Sequence, residues 1–318
     1  MVQPSRVVAI TGASGYVGSR LLRQLEEEDL EKLVGIDTRP PPLPIHNIAV
    51  YQRDVEGSIE DILRRHRVTT LVHLAFSKQL GRYRREIREL REQNRKLLDR
   101  VLESSLRAGV SQIIYLSSHT VYGARWDNPV PLTERAPLLV SPDFPYGYDN
   151  FLADQTLDTF AEENQQVKVA VLRCSQVLGP GANGDLFNIF LQSRPMGIRG
   201  FDPPFQFFHE DDLARVLTIF IKQELSGVFN VAGDGVAFLR EVAEMVSGRI
   251  IRLPKFLAYP LVNLSWALGL QRSKTTADLD VLRYPALLST GKLEQATGYR
   301  PRYNSLETVT AFVNSVLP

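Results

Sequence analysis

Short uninterrupted apolar runs alternate along the chain with segments whose apolar residues recur every three or four positions. Val7 to Ile10 is a β-branched apolar run of the kind found in strands covered on both faces, and Ser19 to Glu28 then places Leu21, Leu22 and Leu25 at helical spacing. Leu33-Val34-Gly35-Ile36 predicts a second strand, Ile48 to Tyr51 a third, Thr69 to Phe76 a fourth and Gln112 to Leu116 a fifth. Between them lie a helix over Ser58 to Arg65 and a longer one over Arg82 to Leu106. In the longer one Ile87, Leu90, Leu97, Leu98, Val101 and Leu102 form the apolar stripe. Its arginines interleave with Glu86, Glu89 and Glu92 at helical spacings, a pattern of side-chain ion pairs rather than a nucleic-acid patch. Strand, helix, strand in repetition predicts right-handed parallel crossovers, hence an α/β, doubly wound parallel sheet.

Past the fifth strand the pattern becomes mixed. Leu186, Ile189 and Phe190 give Gly179 to Gly200 a helical character ended by Pro203-Pro204, and Phe205 to Phe208 reads as a strand. Asp211 or Asp212 is placed to cap a helix running through Lys222, with His209 structural, and Val228 to Val231 returns to the main sheet. Helical patterns over Leu239 to Val246 and Leu257 to Leu270 build a smaller lobe. The second suits ordinary core, a hydrophobic pocket, a dimer contact or a membrane-surface face. The expected division is a dinucleotide-binding part of residues 1–178 and 201–234, with residues 179–200 and 235–318 forming the substrate lobe.

Charge and cysteine content narrow the setting. A formal net charge of +1 over 318 residues recommends neither nucleic acid nor an acidic surface as partner. The single cysteine, Cys174, excludes an internal disulfide and a multi-cysteine metal site, so no metal is expected. Met1 to Arg6 holds no apolar signal core, and Phe256 to Leu270 is too short and interrupted to span a bilayer. The expectation is a cytoplasmic protein with a small-molecule substrate, no integral membrane segment and a possible homodimeric state.

The chemistry begins at the first turn. Gly12, Gly15 and Gly18 follow the first strand, with Ser14, Tyr16 and Val17 among them, where a tight strand-to-helix turn aims backbone N–H groups at a pyrophosphate. Asp37, nineteen residues after Gly18 at the end of the second strand, is placed to accept from adenosine ribose hydroxyls. Asp54-Val55 follows the third strand, where the acid either meets an adenine amino group or caps the next helix. Leu74-Ala75 closes the fourth, across whose end a cofactor would lie.

Read together, several motifs carry a resemblance. Gly12-x-x-Gly15-x-x-Gly18, Asp37, Asp54-Val55, His73-Leu74-Ala75, Asn94, Ser118-x-x-Val121-Tyr122-Gly123 and Tyr146 resemble an extended short-chain dehydrogenase/reductase of the NAD-dependent epimerase/dehydratase family. Leu172-Arg173, Val177-Leu178-Gly179-Pro180, Phe207 to Ala214, Phe229 to Gly233 and Gly298 to Arg302 agree, so the likeness covers nearly the whole chain. It implies a Rossmann-type fold, NAD as cofactor and hydride transfer at a hydroxyl or carbonyl. Tyr146 would be the general acid/base, Ser118 would hold the reacting oxygen, Asn94 would support the polar network, and Cys174 to Val177 would pass the nicotinamide.

One position departs from that pattern. The family's tyrosine is followed four residues later by lysine, and here that residue is Asn150, with no lysine between Lys96 and Lys168. The lysine holds the nicotinamide ribose and favours the tyrosinate. A phenol titrates near ~10 unaided, so a lost cation costs roughly 1.4 kcal/mol per pKa unit no longer shifted. Asn150 keeps hydrogen-bonding capacity without charge. Lys78 and Arg125 are substitute cations or solvated surface charges, and His119 is a candidate proton relay whose ring should face away from Ser118 if the strand continues. Two functions follow: an NAD-dependent oxidoreductase or epimerase, with a nucleotide sugar as one substrate class, or a non-catalytic nucleotide-binding protein of the same fold. Asp37 favours NAD over NADP, since a carboxylate repels a 2′-phosphate, and Arg39 weighs slightly against that.

Overall fold

Val8 pairs with Leu33 on one side and Thr70 on the other, and this parallel three-strand register fixes the centre of the sheet. In the computed structural model, residues 6–28, 30–40, 48–76, 84–182, 196–246, 248, 250–268 and 276–316 are described. Six strands come first: β1 (Val7–Thr11), β2 (Lys32–Asp37), β3 (Ile48–Gln52), β4 (Thr70–His73), β5 (Gln112–Ser118) and β6 (Lys168–Cys174). Four short ones follow, β7 (Gln176–Leu178), β8 (Met196–Ile198), β9 (Pro204–Phe205) and β10 (Phe207–His209), and then β11 (Gly227–Val231). The main sheet runs β3-β2-β1-β4-β5-β6-β11, with every pairing parallel. The strand order reverses between β1 and β4, and that reversal opens a crevice at the strands' carboxyl ends.

Period-two alternation decides which helices each strand touches. Val7 and Ala9 of β1 pack with Ile62 and Leu63 of α2 (Glu60–His66), Leu98 and Val101 of α3 (Arg84–Ala108) and Leu157 of α4 (Pro145–Glu163). Val8 and Ile10 face Leu21, Leu22 and Leu25 of α1 (Tyr16–Glu26), and Leu213, Leu217 and Phe220 of α5 (Glu210–Gln223). Both faces are thereby covered, which is why these strands read as apolar runs rather than alternating ones. On the outside of α3, Arg85 pairs with Glu89 at 2.7 Å and Arg95 with Glu92 and Asp99 at 2.7 and 3.0 Å, the exposed ladder the sequence predicts.

A third core lies beside the sheet. There Phe207, Leu178, Leu239, Ala258, Val262, Val309 and Phe312 pack together, gathered from β7, β10, α6 (Leu239–Val246), α7 (Lys255–Ala267) and a C-terminal helix. The strands β12 (Ala237–Phe238) and β13 (Ile251–Leu253) close it by pairing with β9 and β8. Helices α8 (Thr276–Val281), α9 (Gly291–Thr297) and α10 (Ser305–Val316) complete the chain.

Several expected boundaries move. α1 starts at Tyr16 instead of Ser19, so the glycine turn is itself the helix entry. β4 stops at His73, level with Thr11 at the end of β1 and with Tyr115 of β5. α5 is capped by His209, whose ring accepts from the Asp211 N–H at 3.2 Å, not by Asp211 or Asp212. Asp212 is fully buried and instead accepts from the backbone N–H groups of Arg302 and Tyr303 and from the Tyr299 hydroxyl, at 3.0, 3.1 and 2.6 Å. The proline-rich loop after Pro40 and the helical pattern at Leu186, Ile189 and Phe190 lie outside the described residues.

Candidate active site

At the end of β1 the chain turns with Gly12 at φ +72°, a left-handed setting that disfavours any residue with a Cβ. A Cβ there would stand 2.8 Å from the Ala75 nitrogen, so the turn lies directly on the Leu74-Ala75 backbone. At Gly18 a Cβ would come within 2.1 Å of the Gly12 carbonyl oxygen, which allows α1 to pack onto its own turn only without a side chain. The α1 N-terminus carries no side-chain cap and no acidic residue in its first turn. An uncapped helix N-terminus above bare glycine backbone fits a dinucleotide pyrophosphate.

Asp37 closes the other wall. Its carboxylate accepts from the Ser14 N–H at 3.0 Å and the Arg39 N–H at 3.1 Å, locking the β2 end to the glycine turn. The Ser14 hydroxyl donates to the Arg39 carbonyl at 2.5 Å, so the glycine turn and the end of β2 share one small polar cluster. Asp54 is exposed and accepts from the Glu56 N–H at 2.9 Å, closing its own turn; it does not cap α2, whose N-cap position is Ile59 with no side-chain cap. Val55 is buried in the core beneath it. Tyr16 turns its ring toward Gly181 and Glu210. Burial, reinforced by the Glu210 carboxylate, holds its phenol far above the ordinary range. Val177 packs, partly buried, on the α1 and α5 side of the sheet, next to Phe208 in the β7–β10 pair.

At the end of β5, Ser118 is buried and caps a short 3₁₀ turn, His119–Tyr122, by accepting from the Thr120 N–H at 3.3 Å. The Thr120 hydroxyl also donates to it, at 2.9 Å. α4 starts at Pro145, so Tyr146 and Asn150 stand one turn apart on one helix edge. Burial raises the Tyr146 phenol above its usual range, and hydrogen bonding from Ser118 and from Asn150 opposes that rise. Among the described residues, no cation is among the groups acting on it. The Phe76 ring meets Tyr146 edge-on, with centroids 5.9 Å apart at 89°, and limits water on that side. Asn150 is buried and donates from Nδ2 to the Tyr146 carbonyl oxygen at 2.9 Å.

Behind this edge sits a polar layer. Asn94 on α3 donates to Asp149 at 3.3 Å, and Arg91 donates to the same carboxylate at 2.7 Å while lying over the Tyr148 ring at 4.6 Å. Burial pushes the Asp149 carboxyl up and Arg91 pulls it down. Thus the family's asparagine supports α4 through Asp149. His73 lies beneath the site, 2.6 Å from the Thr11 hydroxyl, and burial lowers its pKa to about 4.

The substitute cations separate. Arg125 is exposed and forms a forked pair with Asp127 at 2.9 and 2.7 Å, while Lys78 lies outside the described residues. His119 lies past the end of the strand at Ser118, so the condition for its ring facing away is not met; the 3₁₀ turn brings its Nδ1 within 3.2 Å of the Cys174 carbonyl. Burial keeps the imidazole below its usual pKa, hence neutral. The Cys174 thiol is buried and pushed far above the thiol range, which makes it inert.

A further cluster escapes reading from spacing. Arg173, in β6, forms a buried pair with Asp154 of α4 at 2.8 Å and donates to the Tyr122 hydroxyl at 3.1 Å and the Glu134 carbonyl at 3.2 Å. The Tyr122 hydroxyl donates to the Asn230 side-chain oxygen, in β11, at 2.7 Å. The available signal was an arginine inside the run Val-Ala-Val-Leu-Arg-Cys, since a charge in a strand covered on both faces requires a buried partner.

A mostly parallel sheet with a glycine turn at its switch point and a tyrosine, serine and asparagine gathered beside it defines a nucleotide-binding oxidoreductase fold. Residues 8–232 match the profile of the NAD dependent epimerase/dehydratase family, and the chain belongs to that family. It is 28% identical over 190 residues to the UDP-glucose 4-epimerase of Erwinia amylovora, an alignment spanning 56% of this chain and 56% of that one. The ADP-L-glycero-D-manno-heptose-6-epimerase of Pseudomonas aeruginosa is 28% identical, with 94% of this chain and 95% of the relative covered. In structure, the Thermus thermophilus UDP-glucose 4-epimerase complex with NAD superposes with a TM-score of 0.76 at 18% identity, covering 97% of this chain and 98% of that one. Among the described residues, no helix is long and apolar enough to cross a membrane.

Proposed function

We propose that this protein binds NAD and catalyses a hydride-transfer reaction at a hydroxyl or carbonyl carbon of a nucleotide sugar, as an epimerase or related oxidoreductase. The observation that carries the reading is the Tyr146 phenol, buried against Phe76 with Ser118 and Asn150 acting on it, beside the glycine turn. NAD, when bound, supplies the hydride acceptor and donor. Gly12, Gly15 and Gly18 with the α1 N-terminus hold its pyrophosphate, Asp37 its adenosine ribose, and Leu74, Ala75 and Val177 flank it. Tyr146 takes the proton from the reacting hydroxyl and returns it, Ser118 orients that oxygen, and Asn150 holds the nicotinamide ribose through the amide capacity its own helix leaves free. Asn94 acts at one remove, through Asp149 and α4. The division between a cofactor part, residues 1–178 and 201–234, and a substrate lobe belongs to this reading. So do a cytoplasmic setting and a homodimer.

Nucleotide sugars named for the relatives support this substrate class. The test is calorimetry with NAD and NADP followed by a screen of nucleotide sugars for NADH formation or epimer exchange. Tyr146→Phe is expected to cut turnover by about 10²–10⁴-fold with NAD affinity retained. Unchanged turnover in that variant overturns the assignment of the base. A second reading, a nucleotide-binding protein without turnover, is favoured by Asn150 in place of the family's lysine, with no cation among the described residues acting on Tyr146. NAD binding with no reaction across the screen, in both the native chain and Asn150→Lys, selects it.

A further inference from the structure

One face of α7 is apolar and uncovered. Phe256, Leu257, Leu261, Leu264 and Leu268 are 74, 45, 52, 56 and 61% exposed, and the last four follow the i, i+4, i+7, i+11 spacing of a single stripe. Leu268 stays in line because its N–H donates to the Leu264 carbonyl at 2.9 Å. The opposite face is satisfied: Ala258 and Val262 are buried in the smaller lobe's core beside Leu279 and Leu282. The stripe is therefore surplus to the fold, and single-molecule surfaces rarely present five large apolar side chains in a row.

Charge indicates the occupant. From Met245 to Ala277 the chain carries no aspartate or glutamate and five cations, Arg249, Arg252, Lys255, Arg272 and Lys274. Of these, Arg252 and Lys255 are exposed next to the start of the helix, Arg252 within 3.9 Å of Asp202. A second copy of the chain is a poor match. In a two-fold contact the same patch meets itself and brings like charges together. An anionic lipid surface attracts each cation and accepts the leucines without needing a complementary shape.

We propose that α7 is an interfacial docking helix that seats the smaller lobe on an anionic membrane surface, with the leucine stripe in the headgroup–acyl boundary and the flanking cations on the lipid phosphates. At ~1.5 Å per residue it is about 20 Å long and lies in the surface plane rather than crossing it. The proposal is independent of the proposed chemistry, because the stripe and the Tyr146 edge share no residue.

The test is sedimentation of the full chain with vesicles of phosphatidylcholine alone and of equal parts phosphatidylcholine and phosphatidylglycerol. Expected are binding to the anionic vesicles that weakens as salt rises, and loss of that binding in Leu261→Asp/Leu264→Asp. Lys255→Ser is expected to weaken partition about fivefold. Circular dichroism and the thermal midpoint verify that the variants fold, which the exposure of these positions favours. No sedimentation with anionic vesicles, or sedimentation that the double aspartate variant leaves unchanged, overturns the proposal. Self-association abolished by the double variant, without vesicle binding, assigns the stripe to a second copy and overturns it equally.

Discussion

The side-chain amide of Asn150 donates to the backbone carbonyl of Tyr146 at 2.9 Å, one helical turn back along α4. The residue that replaces a charged group beside the phenol is thus partly spent on its own helix. Among the described residues, the groups that lower the Tyr146 pKa against burial are the neutral hydrogen bonds of Ser118 and Asn150.

Asn150→Lys restores an ammonium one turn from the phenol. An opposite charge at that range lowers a buried acid's pKa by about 1–3 units. The rising limb of the kcat/KM–pH profile, set by deprotonation of Tyr146, is expected to move down in pH by that amount, with a gain in turnover near neutrality. An unmoved limb sets aside the electrostatic account of this position.

Asp37→Ala removes the acceptor for the Ser14 and Arg39 N–H groups together with the expected ribose contact. NAD affinity is expected to fall by about tenfold or more, some 1.4 kcal/mol, from the loss of charge-assisted hydrogen bonds. NADP affinity should change less, because the repulsion of a 2′-phosphate disappears at the same time. Calorimetry of the two cofactors on one preparation decides it.

Asp154→Ala strands the Arg173 guanidinium in a buried site. Removing one partner of such a pair costs on the order of 3–5 kcal/mol. The urea midpoint is expected to drop accordingly, and Asp154→Ala/Arg173→Met to recover part of the loss, since no unpaired charge is then buried.

His73 gives the fold a defined acid response. Its folded pKa of about 4 lies below the unfolded value, so the unfolded chain binds the extra proton between about pH 6.5 and 4. The contribution is present above pH 6.5 and is lost as pH falls through that window, by roughly 3 kcal/mol. Urea unfolding from pH 7 to 4 should show this slope in the native chain and a shallower one in His73→Asn, where the other buried imidazoles remain.

The sheet was legible because its strands are covered on both faces, which leaves apolar runs such as Val7 to Ile10 that no helix pattern imitates. Gly12 and Gly18 were legible because only glycine fits where backbone meets backbone. The direction of His119 was not legible because it depends on where β5 stops, and that is set by a capping serine rather than by any period in the chain. The α5 cap was misassigned for a related reason: Asp212 looks like a capping residue but is drawn inward to hold the segment at Arg302 and Tyr303, ninety residues away in sequence. The Arg173 cluster was out of reach because its members come from β6, α4, the 3₁₀ turn and β11, and no local spacing joins them.

The Arg173–Asp154 pair sets how α4 is turned about its own axis. Tyr146 and Asp154 are eight residues apart on that helix, so pinning the second to β6 fixes the angle at which the first meets its substrate. The same guanidinium also holds the Glu134 carbonyl at 3.2 Å, so the segment that follows the 3₁₀ turn is tied to the pin that turns α4. The phenol keeps its bearing like a clock hand held by its spindle.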